Sequence, residues 1–176
     1  MRGPLSQLAP DLASSVLPFR RGAEVTDVAN AGLFRPPIIY LASTLIGIAL
    51  HLIWPLPLLS TAGTSLGIVV VLLALLLFAA SAREFRAAGT FVRGNQPTHA
   101  IVSTGPYRFS RNPIYVSFSL LQLGIAFWVN SLWLVVTLLG SLTLMTLVVI
   151  AREERYLQRK FGTLYLDYKA SARRWL

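Results

Sequence analysis

The sequence predicts an all-α integral membrane protein with four transmembrane helices in two hairpins, the last helix extended into a C-terminal helical segment. Composition, two charge-free stretches and the distribution of arginine carry this expectation. Of 176 residues, 55% are hydrophobic and only 13% charged, with a mean hydropathy of +0.61. That balance lies outside the range of soluble globular domains. Two stretches, Pro36–Ala82 and Asn112–Ala151, contain no Asp, Glu, Lys or Arg across 47 and 40 residues. A helix crosses the hydrocarbon core in about 20 residues, so each stretch has room for two crossings.

Residues 1–35, which include Pro4, Pro10, Pro18 and Gly22, are expected to form a cytoplasmic lead-in without the pattern of a cleavable signal peptide. Residues 36–176 are expected to form one membrane domain, with spans at about 38–54, 66–82, 113–129 and 132–151. Pro55, Pro57 and Gly63 interrupt the first charge-free stretch, as helix breakers do. Asn130 and Ser131 leave only a tight connection in the second. Trp54, Trp128 and Trp133 fall near these two turns, where interfacial aromatics belong.

The charges give the orientation. Residues 1–35 carry four Arg against three acids, 83–111 five Arg against Glu84, and 152–176 seven basic residues against three acids, while the two hairpin turns carry none. Cytoplasmic loops hold the Lys and Arg excess, so both termini and the loop at 83–112 are expected inside. The net charge of +9 is thereby a matter of topology, and no nucleic-acid partner is expected. With no Cys, disulfides, thiolate metal sites and a cysteine nucleophile are excluded. His51 and His99 are too few and too far apart in sequence for a metal centre. Fourteen Arg against two Lys is a usage associated with GC-rich prokaryotic genomes, so the expected location is a prokaryotic cytoplasmic membrane.

Polar residues concentrate against the spans in two places, Gly89–Tyr115 and Arg152–Trp175. In the first, Gly105-Pro106 marks a turn, Asn112 suits a helix N-cap and Pro113 the first helical position. The free backbone amides at that helix start would suit an anionic group such as a carboxylate. In the second, Glu153 and Glu154 stand about one turn beyond the apolar run, followed by Arg155, Tyr156, Phe161-Gly162, Tyr165, Tyr168 and Trp175. Paired acids at a span boundary seek a cation.

Taken one at a time, these residues have plain explanations. Arg108 and Arg111 read as interfacial anchors, Tyr107 and Tyr115 as belt aromatics, and His99 as a solvated loop residue. Asn112-Pro113 reads as a helix start, and the two acids as partners for Arg155, Arg159 or Arg108. Their order changes the weight. Thr104-Gly-Pro-Tyr-Arg-Phe-Ser-Arg-Asn-Pro-Ile-Tyr115, a helical hairpin, Glu153-Glu154 and Phe161-Gly-Thr-Leu-Tyr-Leu-Asp-Tyr168 together resemble the isoprenylcysteine carboxyl methyltransferase family, a relative of the phospholipid N-methyltransferases.

The resemblance covers about half of the chain, Gly89 to Trp175, and implies S-adenosylmethionine as cofactor and a lipophilic or lipid acceptor reached from the bilayer. It implies cofactor contacts at His99, Ala100, Ile101, Val102, Tyr107, Asn112, Pro113, Ile114, Tyr115, Glu153 and Glu154. Asn112 stands where eukaryotic members carry a histidine. For their substrate-contacting arginine Arg152 is the nearest candidate, with Val149 at the gapless position. Methyl transfer from a sulfonium needs alignment and exclusion of water rather than a catalytic triad or a metal. Two other classes share parts of the pattern: an NADPH-dependent membrane reductase of the sterol-reductase type, and a non-enzymatic lipid-binding or scaffold protein.

Overall fold

The computed structural model describes residues 35–59, 63–89 and 101–176. The lead-in segment up to residue 34 and the expected contacts His99 and Ala100 lie outside the described residues. Among the described residues, every regular element is helical: α1 (Pro36–Ile53), α2 (Thr64–Ala87), α3 (Pro113–Val129), α4 (Leu132–Leu144), α5 (Ala151–Phe161) and α6 (Thr163–Ser171). A 3-10 turn at Gly105–Arg108 precedes α3, and a π-helical turn, Met145–Ile150, joins α4 to α5. Three helical runs are long and apolar enough to cross a membrane: Pro36–Ile53, Thr64–Ala87 and the continuous Leu132–Phe161. The shorter α3, of 17 residues, is also apolar.

Large apolar side chains such as Leu41, Leu52, Ile53, Leu76, Leu139 and Leu147 stand exposed along these helices. In water that surface would be a severe liability; in lipid it is the solvated face. The core lies between helices, where Tyr40, Leu138, Met145 and Val149 form a buried cluster flanked by Ile39, Tyr115, Phe118 and Trp175.

Sequence neighbours are not always packing partners. The expected second hairpin is present, α3 against α4, but α1 and α2 make almost no contact. Instead α2 lies along α3 and α1 along α4, with α3 also touching α1. The cause is close backbone approach between α2 and α3. A Cβ added at Gly67 would sit 2.5 Å from the Trp128 amide nitrogen and 2.7 Å from the Gly124 carbonyl oxygen, and one at Gly124 would sit 2.9 Å from the Val71 nitrogen. Small residues that let backbones approach are the usual basis of helix association in lipid.

The Pro55–Leu59 connector is held by the turn between α3 and α4. Asn130 ends α3 in the left-handed region, φ 53°. Its Oδ1 accepts the Leu58 and Leu59 amides at 3.0 and 2.8 Å, and its Nδ2 donates to the Leu59 carbonyl at 3.1 Å. The Trp133 indole donates to the Trp54 carbonyl at 2.8 Å. Backbone groups that proline-rich sequence leaves without a helical partner are satisfied in this way. Deeper in the bundle, the Gln122 amide nitrogen reaches Ser43 Oγ, the Leu134 carbonyl and Thr137 Oγ1 at 2.7, 3.2 and 3.2 Å. That network ties α3 to both α1 and α4.

At the opposite end, α2 continues past the expected limit at Ala82, so that Arg83, Glu84, Phe85 and Arg86 are helical. Gly162, at φ 56°, ends α5, and α6 begins immediately after it. The last residues then cross the loop before α3: the Arg111 amide donates to the Arg173 carbonyl at 2.8 Å and the Arg173 amide to the Phe109 carbonyl at 3.1 Å. Trp175 donates its indole N–H to Thr146 Oγ1 at 3.2 Å, in the π-helical turn.

The α2–α3 contact predicts that Gly67→Ala lowers stability by about 1–3 kcal/mol, the cost of overpacking against atoms that cannot rotate away. At Gly140 nothing lies within 4 Å of the place an alanine methyl would take. Alanine should be accepted there without loss, because it is the better helix former. Thermal unfolding of both variants in detergent, followed by helical circular dichroism, compares them. Equal behaviour would remove Gly67 from the packing argument.

Candidate functional site

The polar end of the bundle gathers residues from α1, α2, α3, α5 and α6. Its starting point is the phase of α5. Successive helical residues point about 100° apart, so the adjacent acids Glu153 and Glu154 face different neighbours.

Glu154 is buried and faces cations. Arg174 binds it in bidentate fashion, Nε to Oε1 at 3.0 Å and Nη2 to Oε2 at 2.8 Å. Arg111 Nη2 lies 3.3 Å from Oε1 and Lys169 Nζ 3.8 Å from Oε2. Arg155 and Arg159 along the helix and Arg108 across the loop, the partners expected for the two acids, are not among these three cations of Glu154. The break at Gly162 and the return of the chain end bring residues 169 and 174 to it instead. The Glu154 hydrogen bonds raise the pKa of Arg174 above its ordinary value, as expected for a cation paired with a carboxylate.

Glu153 accepts a hydrogen bond from the Tyr115 hydroxyl at 2.7 Å. Tyr115 is held in turn from α1: Ser119 Oγ donates to the Tyr115 carbonyl at 2.9 Å and lies 2.7 Å from Tyr40 Oη. The single serine proton is already used, so Tyr40 is the donor to Ser119. Tyr40, in the otherwise apolar start of α1, was not legible as part of this constellation; a hydroxyl among charge-free residues was the available signal.

Tyr107 closes another side. Its ring meets Phe85 edge-on, with centroids 5.1 Å apart, and its carbonyl accepts the Tyr168 hydroxyl at 2.9 Å. The Tyr107 residue is 4% exposed, and its own hydroxyl has no hydrogen-bond partner among the described residues. Burial, followed by the charges of Tyr168, Glu153 and Glu84, pushes its pKa far up. Burial likewise raises Tyr168 to about 12. Both phenols are therefore neutral donors at physiological pH. Arg111, nearly buried, also leaves Nε and Nη1 without a hydrogen-bond partner among the described residues.

Asn112 occupies the N-cap position of α3 as expected, but its side chain makes no capping bond. It donates from Nδ2 to the Arg174 carbonyl at 2.9 Å, because the returning chain end offers a fixed acceptor there. Pro113 is fully buried at the first turn, Val102 is buried, and Ile101 and Ile114 are half-buried. Tyr107, Asn112, Tyr115, Glu153 and Glu154 are thus brought to one end of the bundle. Of the two candidates for a substrate-contacting position, Arg152 is exposed on α5 and Val149 is wholly buried in the core. Sequence reasoning missed Arg174 as a partner of Glu154, since a terminal arginine looks like one more interfacial anchor. Among the described residues, no group of His, Asp and Glu could hold a metal ion.

These features fall largely within a segment shared with known proteins. A protein of Haemophilus influenzae, described only as uncharacterized, is 43% identical over 65 residues, covering 36% of this chain and all of that relative. No solved structure matches the chain. The model of the phospholipid methyltransferase family matches residues 62–164, a segment holding Tyr107, Asn112, Tyr115, Glu153 and Glu154. The match spans more than half of the sequence, and the chain belongs to the phospholipid methyltransferase family.

Proposed function

We propose that the protein is an S-adenosylmethionine-dependent membrane methyltransferase acting on a lipophilic or amphipathic acceptor, a lipid amine or a prenylcysteine-like carboxylate. The observation that carries this reading is the Tyr115–Glu153 hydrogen bond beside the buried Tyr107 hydroxyl, which has no hydrogen-bond partner among the described residues, within the family-matched segment. A carboxylate suits ribose hydroxyls or an ammonium group, and Arg111 Nε and Nη1, which have no hydrogen-bond partner among the described residues, suit a ligand carboxylate. The residues present thus fit the cofactor. When bound, S-adenosylmethionine supplies a methyl group already activated by its sulfonium.

The chain's task is to hold and orient. Tyr115 holds Glu153 by its hydrogen bond and is itself packed against the buried cluster that contains Tyr40. Tyr107 offers a neutral donor, and Ile101, Val102 and Ile114 supply apolar walls that limit water. Glu154 and Arg111 anchor the chain end over the start of α3. An amine acceptor must arrive as the free base, whereas a carboxylate acceptor needs no proton removed. The exposed apolar flanks of the helices support acceptor entry from the bilayer. A reductase binding NADPH is disfavoured by the family match, which is to phospholipid methyltransferases.

Four crossings with both termini and the 83–112 loop in the cytoplasm are the topology proposed. The charge distribution supports it, as do the three long apolar helices and the apolar α3.

The two acids should separate in experiment. Glu153→Gln is expected to weaken binding of S-adenosylhomocysteine to detergent-purified protein by about 1–3 kcal/mol, the range for a charged hydrogen bond, with little loss of thermal stability. Glu154→Gln should show the opposite pattern, a loss of about 1–3 kcal/mol in stability and a smaller change in affinity. Calorimetric titration and melting of both variants test this; identical profiles would refute the division of roles.

For the reaction itself, protein incubated with methyl-labelled cofactor and a total membrane lipid extract should place label in the organic phase. Base-stable label would identify N-methylation and base-labile label a methyl ester. No transfer to any lipid acceptor would count against the enzyme reading.

Orientation can be read by cysteine labelling in this cysteine-free chain. Pro57→Cys, in the exposed connector, should react with an impermeant thiol reagent on intact cells, and Ala170→Cys, exposed on α6, only after lysis. The reverse pattern would invert the topology.

A further inference from the structure

We propose that Glu84 is a positioning residue of this site, holding Tyr107 in place through the Thr104–Gly105 turn; the inference rests on the methyltransferase reading. Glu84 lies in the last turn of α2, where the helix dipole disfavours an acid. Its side chain is nevertheless turned inward, 18% exposed, while that of its neighbour Arg83 is 81% exposed. The Arg83–Glu84 contact, at 3.8 Å to a largely solvated guanidinium, is too weak to account for that placement.

What the carboxylate meets is the turn before α3. Thr104 Oγ1 donates to Glu84 Oε2. Gly105, at φ +57°, packs on the same group: a Cβ there would lie 2.9 Å from the Glu84 carboxyl carbon and 3.0 Å from Oε1. The positive φ favours glycine at this point, and the space a Cβ would take is filled by the Glu84 side chain. Two residues on is Tyr107, whose amide donates to the Thr104 carbonyl at 3.1 Å. The next residue of α2, Phe85, packs on the Tyr107 ring.

One turn of α2 thus grips the Thr-Gly-Pro-Tyr segment by the Thr104 hydroxyl, the Gly105 backbone and the Tyr107 ring. Tyr168 holds the same segment from α6 through the Tyr107 carbonyl. Glu84 itself acts on a ligand only through Tyr107, whose buried hydroxyl also lies in its field.

Amide hydrogen exchange and S-adenosylhomocysteine titration on the full chain in detergent provide the test. In Glu84→Ala, exchange at the Tyr107, Phe109 and Ser110 amides should quicken and cofactor-analogue affinity should fall, each by about tenfold, the effect of one charged hydrogen bond. Glu84→Gln keeps an acceptor for Thr104 and should restore both. On a Tyr107→Phe background the affinity loss from Glu84→Ala should shrink, because the two residues act as one unit; a purely structural role would give additive losses.

Should Glu84→Ala not fold, Thr104→Val breaks the same bond from the loop side and must reproduce the effect. Wild-type exchange and affinity in Glu84→Ala, or additivity with Tyr107→Phe, would overturn the proposal. Failure of the wild type to bind S-adenosylhomocysteine would instead overturn the methyltransferase reading, and exchange alone would then decide whether Glu84 holds Tyr107.

Discussion

The ion cluster around Glu154 is the interaction on which the polar end of the molecule depends. A carboxylate removed from water loses hydration that cations and hydrogen bonds must replace, and Glu154 takes them from Arg174, Arg111 and Lys169. Each of these cations lies on a different segment: the returning chain end, the loop before α3, and α6. Satisfying one charge therefore draws three segments together. Its neighbour Glu153 points to the Tyr115 side of the helix, where its carboxylate accepts the phenol's hydrogen bond.

The two carboxylates are adjacent in sequence and unlike in environment, one neutralised by guanidinium groups and the other hydrogen-bonded by a phenol. The tyrosines of this constellation come from three elements: Tyr115 from α3 bonds Glu153, Tyr107 comes from the 3-10 turn, and Tyr40 from α1 bonds Ser119. The site is therefore a product of the whole bundle, although the family match begins only at residue 62. Tyr40, outside that match, reaches it through Ser119.

Much of the helix layout was legible because its punctuation is chemical. Pro113 begins α3 and Val129 ends it where expected, since proline at a first turn and an Asn-Ser pair leave little alternative. Packing order was not legible. The spans are apolar on nearly every side, so periodicity names no preferred face, and α2 meets α3 because Gly67 and Gly124 permit it. At the site, Tyr107, Tyr115 and the acids stood out as an ordered motif. Arg174 did not, because only the turn at Gly162 and the bridge from Ser110 to Arg173 carry the chain end back, and neither leaves a pattern in the residues themselves.

The π-helical turn at Met145–Ile150 has a further meaning for this arrangement. A π turn accommodates one residue more than the α-helical winding on either side, and one residue corresponds to about 100° of rotation. Everything beyond it is offset in phase relative to α4. The apolar face of α4 can thus keep its contact with α1 while α5 presents Glu154 to the chain end and Glu153 to Tyr115. A continuous α-helix of the same sequence could satisfy one of these alignments, but would swing the other about a quarter turn aside. The local irregularity works as a gear between the lipid-embedded part of the helix and its polar extension, and Trp175, bonded to Thr146 within it, sits where that offset is set.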